Sequence, residues 1–545
     1  MEARAWRIPR SARRVVLALR HGDRNPLHAA NQPSSGARGP PVMHATAGLS
    51  LDDAFQRDCA EWAAQLAPAP GEDVAESFPC VIAGTSDAAP AGHDELTAEA
   101  TPSGALGLLT RRGAEHLRAR GAYLAAGPLA DWLEARAGSR AASPASVGIT
   151  ASNYARTRRS AQELAFGLTR SAPAGALVGR APVQSHPKDV CPIAVFESAL
   201  PLATTSRRLL RSAVPSSEDA RIRQSLVESI PFFQPDAAAP CSGASYGSTG
   251  RSEPATARRF MWIRAADMLA AAHSHGKFGL LPAGLREAAP AVIDHLRGRF
   301  LAVFADAACR RYAVATPLLE LTCALLGGRA GASDVSLFGG HDVTLMPLAV
   351  ALCGPGEEGG VAWPPYGAVV AACTAEDEAG AAGGDDAERV LQSVASAAAS
   401  GSDVAGVCSA QQAVRFAAGS VGVSVDRLAV QGRVDVAAVL AGDTVLAPDA
   451  GEAAEAAVAA GREAVASASR PAGRGERVCW WMDVDSKAGG AGPLFEARCS
   501  GGQGAVMGGQ YSVAEWRLLS GAAASGSQVA WDKAKELCVA RPMQT

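Results

Sequence analysis

Val15-Val16-Leu17-Ala18-Leu19 runs directly into Arg20-His21-Gly22-Asp23-Arg24-Asn25-Pro26. Five apolar residues bounded by charge predict a buried strand, and the glycine and proline that follow turn the backbone out of it at once. His21 is thereby held at a strand tip between two arginines. Guanidiniums are planar, bidentate donors for phosphate or carboxylate, and their charge disfavours protonation of an imidazole set between them. An unprotonated imidazole is a nucleophile.

Two later segments repeat the pattern of a short apolar run ending in polar groups. Val147-Gly148-Ile149-Thr150-Ala151-Ser152 has a strand's character, and Arg156-Thr157-Arg158-Arg159-Ser160-Ala161 then opens a helical pattern carrying Leu164, Phe166 and Leu168. Val335-Ser336-Leu337-Phe338 runs into Gly339-Gly340-His341-Asp342-Val343-Thr344-Leu345, followed by Pro347 and an apolar stretch over 348–352. The glycines allow close backbone approach to a ligand, and His341 and Asp342 occupy the turn before a helix N-terminus, where an anion is favoured. Three strands thus deliver polar groups at their carboxyl ends, the edge where ligands bind in an open α/β sheet. The expected fold is α/β: an open, mostly parallel sheet flanked by helices.

The string R-H-G-x-R-x-P, as it stands at Arg20 to Pro26, resembles the signature of the histidine phosphatase superfamily, specifically its acid phosphatase branch. Ser152, Arg156, Thr157 and Ser160 are similar to that branch's S-x-x-x-R-T-x-x-S element, and 340–345 resembles its G-H-D-x-T-L element. Leu109-Thr110-Arg111-Arg112-Gly113 resembles an L-T-x-x-G element, in which Thr110 is a natural N-cap for a helix over 114–124. Trp363-Pro364-Pro365-Tyr366 resembles a W-P-P-Y stretch whose role in the family is packing. These segments follow the family's order and frame most of residues 14–370. The resemblance implies His21 as nucleophile and Asp342 as general acid. It makes Arg20, Arg24, Arg156 and His341 the groups that hold the phosphoryl oxygens. It implies a phosphorylated small-molecule substrate and no metal or other cofactor. The His341-Asp342 pair points to this branch rather than to the mutase-like one, which typically uses a Glu as its acid.

Composition adds exclusions. With 545 residues, 48% hydrophobic content and a net charge of −3, the chain has ample material for a core and no global field. Scattered basic residues and 5% aromatics offer no nucleic-acid surface, and no run approaches the roughly 20 apolar residues of a bilayer helix. The first 14 residues are Arg-rich without an apolar core, so no secretory signal peptide is visible. That favours an intracellular protein, or one whose leader is missing from the sequence. The 12 cysteines are dispersed, with Cys323, Cys353 and Cys373 in apolar contexts, and read as buried free thiols. His273-Ser274-His275 has a spacing wrong for one helix face and is given no metal. Oligomeric state is not legible.

The expected organisation is a phosphatase domain whose first part spans 14–375, an Ala/Gly-rich insertion over 376–475 that is disordered or loosely ordered, and a closing strand and helix within 476–545. Val478 to Met482 reads as the returning strand and Ser512 to Leu519 as the helix start. Segments 28–105, Pro/Gly-rich loop, and 170–310, with helical patterns over 260–272 and 285–303, match the family least; by resemblance they form a mostly helical cap. Their dispersed cations (Arg207, Arg208, Arg211, Arg258, Arg259, Lys188, Lys277) and the W-P-P-Y stretch suit a lysophosphatidic acid phosphatase-like member better than a phytase-like inositol polyphosphate phosphatase, the alternative. Two remoter readings remain. One is a serine hydrolase using Ser245 in Gly243-Ala244-Ser245-Tyr246-Gly247, which lacks the strand before and helix after that a nucleophile elbow needs. The other is a non-catalytic phospho-ligand module, which would be expected to have lost His21 or Asp342.

Overall fold

The computed structural model describes residues 6–24, 80–82, 109–138, 143–152, 154–178, 183–186, 262–274, 278–280, 283–306, 309–310, 313–326, 333–353, 361, 363–376, 476–483 and 506–513, with scattered positions up to 535. The elements that matter are strands β1 (Arg14–Arg20), β2 (Cys80–Ile82), β3 (Val147–Ser152), β4 (Val183–His186), β5 (Val335–Gly340), β6 (Val369–Glu376), β7 (Glu476–Asp483) and β8 (Val506–Ser512). The helices are α1 (Arg111–Ala126), α2 (Ala130–Gly138), α3 (Ala155–Ser171), α4 (Trp262–Ser274), α5 (Ala283–Ala305), α6 (Ala315–Leu326) and α7 (Asp342–Leu352). Among these helices none is long and apolar enough to cross a membrane.

The strands form one sheet in the order β2-β4-β3-β5-β1-β6-β7-β8. The pairings from β2 through β1 are parallel, and those from β1 through β8 are antiparallel. An open, mostly parallel core flanked by helices is therefore the fold, as the sequence leads one to expect. The alternation along β1 shows how it is layered. Val15, Leu17 and Leu19 pack with Leu117 and Leu124 of α1, Trp132 of α2 and Leu164 and Leu168 of α3. Val16 and Ala18 pack on the other face with residues of α4, α5, α6 and α7. All five apolar residues are fully buried, which explains a continuous apolar run where a one-faced strand would alternate. Full burial of a leucine such as Leu17 stabilises by about 1.5–3 kcal/mol.

Register then aligns the strand ends. Ala151 pairs with Gly339 and Leu19 also pairs with Gly339, so β3, β5 and β1 finish side by side. β6 runs the other way: its first residue, Val369, lies opposite Leu19. At its far end Glu376 is paired with Glu476 at the start of β7, so residues 377–475 leave and re-enter the sheet at adjacent positions on the edge opposite the strand ends just named.

Four strands differ from the sequence expectation. β2 lies inside the segment read as loop, β4 inside the segment read as loop and helix, and β6 and β8 in stretches given no strand. β2 and β4 are three and four residues long, too short to establish a period. β6, Val-Val-Ala-Ala-Cys-Thr-Ala-Glu, is alanine-rich, and sheet pairing on both sides overrides its weak local preference. The expected returning strand is present as β7, and the helical patterns at 260–272 and 285–303 correspond to α4 and α5. Of the expected 376–475 insertion, Glu376 is the last residue of β6 and 377–475 lie outside the described residues, as do Ser245 and the cations Lys188, Arg207, Arg208, Arg211, Arg258, Arg259 and Lys277. The described parts of α4 and α5 contribute Leu269, Val292, Phe300 and Phe304 to the core beneath one face of the sheet.

Candidate active site

Each of the three aligned strands hands its chain to the same edge. β1 ends in Arg20 and His21 follows it; after β3, α3 starts with Ala155 and carries Arg156 in its first turn; after β5, His341 is the N-cap of α7 and Asp342 its first residue. The N-termini of α3 and α7 therefore both open onto this edge, and the positive end of a helix dipole favours an anion. The backbone is knitted locally: His21 N–H donates to Gly340 O at 3.0 Å, and Gly22 N–H donates to Ser160 Oγ at 3.0 Å. Gly22 must be glycine for space, because a Cβ there would sit 2.8 Å from Leu117 Cδ1 and 2.9 Å from Gly113 O.

His21 is buried, and its Nδ1 lies 2.9 Å from Gly22 O. A carbonyl can only accept, so Nδ1 carries the proton and the lone pair is on Nε2. Burial first, then the charges of Arg156, Arg24, His341 and Arg20, push its pKa well below the ordinary histidine value. The neutral imidazole is thereby favoured over the imidazolium. Sequence reasoning had named the arginines as the cause; desolvation is the larger one.

The cations are held in fixed places. Arg20 donates through Nη1 to Pro364 O and through Nη2 to Asp342 Oδ2, the latter at 2.9 Å. Arg24 forms a buried ion pair with Asp267 of α4. Burial opposes its charge, but Asp267 more than offsets this and holds Arg24 more firmly protonated than usual. The Arg156 guanidinium lies 4.3 Å from the centroid of the Tyr154 ring. His341 faces His21 edge-on, ring centroids 5.4 Å apart, and its Nε2 is 2.9 Å from Ser152 Oγ, which is itself 2.9 Å from Thr157 Oγ1. Thr157 Oγ1 donates onward to the Ser152 and Tyr154 carbonyls. Asp342 Oδ1 accepts from Val343 N–H at 2.9 Å. His21, Arg20, Arg24, Arg156, His341 and Asp342, distant in sequence, therefore meet at one edge of the sheet.

Other residues belong to this edge and were given no role from the sequence. Tyr366 lies against His21, ring centroids 5.6 Å apart, with the Arg20 and Arg24 guanidiniums 4.3 Å and 5.8 Å from its ring centroid. It stands just before Gly367, whose φ of +74° is left-handed backbone that favours glycine. The W-P-P-Y stretch contained this residue, and a packing role hid it. Asp267 had no signal at all, being one acid within a helical pattern. Thr110, expected as an N-cap, does accept from Gly113 N–H at 3.0 Å, and it also donates to the buried Asp23 carboxylate at 2.6 Å, tying α1 to the loop that carries Arg24. His273 packs edge-on against Phe278, ring centroids 5.8 Å apart.

No family model matches the chain, and no curated protein matches its sequence. Solved structures do. The phytase of Citrobacter braakii is 15% identical, with 68% of this chain and 82% of that one covered, at a TM-score of 0.35. The apo phytase of Hafnia alvei is 14% identical, covering 69% and 84%, at 0.36, and the Klebsiella sp. ASR1 phytase is 14% identical, covering 68% and 81%, also at 0.36. Likeness this distant assigns no activity, so the functional reading rests on the geometry.

Proposed function

We propose that this chain is a histidine phosphatase that hydrolyses phosphomonoesters through a phosphohistidine on His21. The observation that carries it is the state of His21: a buried neutral imidazole, its Nδ1 proton committed to Gly22 O and its Nε2 lone pair available, within Coulombic reach of three arginines and a second histidine. Such surroundings suit an approaching phosphate and disfavour a proton on the nucleophile.

In the proposed cycle His21 Nε2 bonds to phosphorus as the bond from phosphorus to the ester oxygen breaks, and the departing oxygen takes a proton from the Asp342 carboxyl. Water then attacks phosphorus, the N–P bond breaks, and Asp342 receives the water's proton. Arg20, Arg24, Arg156 and His341 bind the non-bridging oxygens throughout. Asp342 is paired with Arg20. A phosphate that takes over Arg20 frees the Asp342 carboxyl from that pair for the proton transfer.

The test is hydrolysis of p-nitrophenyl phosphate and a panel of alkyl phosphomonoesters across pH 4–8. Because the His21 pKa is lowered, the nucleophile stays neutral to lower pH than an ordinary histidine, and the acid limb of the pH–rate profile is expected to lie below that of a free imidazole. His21→Ala is expected to be inactive. Retained activity in that variant, or a wild-type protein inert toward the whole panel, defeats the proposal.

A further inference from the structure

We propose that Tyr366 is a positioning residue of the phosphate site, its ring forming the common floor on which the His21 imidazole and the Arg20 and Arg24 guanidiniums are held. The inference rests on the hydrolase reading above only for what the site does, not for how it is built. Three contacts converge on one ring: Arg20 over its face at 4.3 Å, Arg24 at 5.8 Å, and His21 tilted by 37° with centroids 5.6 Å apart. The quadrupole of an aromatic face attracts cations, and a desolvated guanidinium gains most from it.

The polar anchors of the two arginines leave work for such a floor. Arg20 is tethered at Pro364 O and Asp342, and Arg24 at Asp267, all through their terminal nitrogens. A phosphate must take over some of those same donors. While it does so, the ring contacts persist, because Tyr366 offers the guanidiniums a π face and competes with phosphate for no hydrogen bond. The backbone just after Tyr366 is held in place: Gly367 N–H donates to His21 O at 3.2 Å, and His116 packs so close that a Cβ at Gly367 would lie 2.7 Å from its Cε1.

The hydroxyl plays no part in this role. It is buried and, among the described residues, makes no hydrogen bond. Burial pushes its pKa up to about 12, so it brings no charge to the arginines at working pH. Losing an unpartnered buried hydroxyl relieves a desolvation cost, so Phe is the conservative replacement and Leu or Met the disruptive ones.

The experiment measures inorganic phosphate binding by calorimetry alongside kcat and KM on p-nitrophenyl phosphate, with thermal melting as a check on folding. Tyr366→Phe is expected to stay within about threefold of wild type in every parameter, with a melting temperature equal or higher. Tyr366→Leu and Tyr366→Met are expected to weaken phosphate binding roughly tenfold and to lower kcat more than they raise KM, since the arginines act most strongly on the transition state. Met is unbranched and adapts to an irregular gap better than Leu, so it decides the matter should Leu fail to fold. Wild-type behaviour in the Met variant, or a Phe variant as impaired as Leu, overturns the inference. Phosphate binding needs no turnover: a wild type that binds phosphate but hydrolyses nothing defeats the hydrolase proposal while the floor is still judged.

Discussion

The two halves of the sheet differ in strand direction, and that difference determines which part of each segment reaches the site. In the parallel half, β3, β5 and β1 end together, and the site residues follow the strands: His21 after β1, Arg156 after β3, His341 and Asp342 after β5. In the antiparallel half β6 is reversed, so the residues that arrive at the same edge precede the strand: Pro364 and Tyr366. The far end of β6, where residues 377–475 attach, is on the opposite edge. An apolar run followed by charge is thus a guide to the site for a parallel strand and a misleading one for its antiparallel neighbour.

The largest effect expected from a single exchange, after loss of the nucleophile, is at Asp342 in the parallel half. Asp342→Asn is expected to lose 10²–10⁴-fold on alkyl phosphates, the usual range for a general acid, and markedly less on an aryl phosphate whose leaving group needs little protonation. Equal losses on both would mean that Asp342 serves only to hold Arg20.

Buried ion pairs on the two sides of the sheet sharpen the contrast. Arg24–Asp267 lies at the site, whereas Arg120 Nη2 meets Asp483 Oδ2 at 2.6 Å at the end of β7, with Trp6 Nε1 donating to the same oxygen at 3.0 Å. Asp267→Asn is expected to lower kcat/KM by roughly 10- to 100-fold, the scale of a small misplacement near the chemistry. Asp483→Asn leaves Arg120 as an uncompensated buried charge and is expected to cost about 3–5 kcal/mol of stability, with kcat per folded molecule unchanged. Denaturant unfolding and active-site titration separate the two; a stability loss without a catalytic one at Asp267 would break the comparison.

The smallest effect is expected on the opposite edge. Joining Glu376 to Glu476 by a short Gly/Ser turn in place of residues 377–475 should leave kcat and KM as they are and the melting temperature equal or slightly higher. Every proposed site residue lies outside that interval, the two glutamates already pair, and a shorter loop costs less to close. An unfolded or inactive product would make the interval part of the packed fold.

Sequence reasoning found the parallel half because its signals are local. A fully buried parallel strand is a continuous apolar run, and Arg20, His21, Arg156, His341 and Asp342 each sit within a few residues of one. Thr110 was legible for the same reason, since an N-cap is read from its own turn. Asp267 was not, because its importance comes from a partner 243 residues away. Tyr366 was seen but assigned to packing: a Trp-Pro-Pro-Tyr stretch reads as apolar filler until β6 is known to run antiparallel to β1. Ser152 and Thr157 were inside a recognised string, yet their support of His341 depends on β3 lying beside β5 in this register.

The central claim is that His21 Nε2 is the nucleophile, and trapping the intermediate tests it most directly. Protein mixed with a rapidly cleaved aryl phosphate, quenched within milliseconds in alkaline denaturant and mapped by mass spectrometry, is expected to carry an acid-labile, alkali-stable phosphoryl group on the peptide bearing His21. That group should be absent from His21→Ala. Turnover without a trapped phosphohistidine, or a phosphoryl group on a serine such as Ser245 that survives in His21→Ala, would contradict the account.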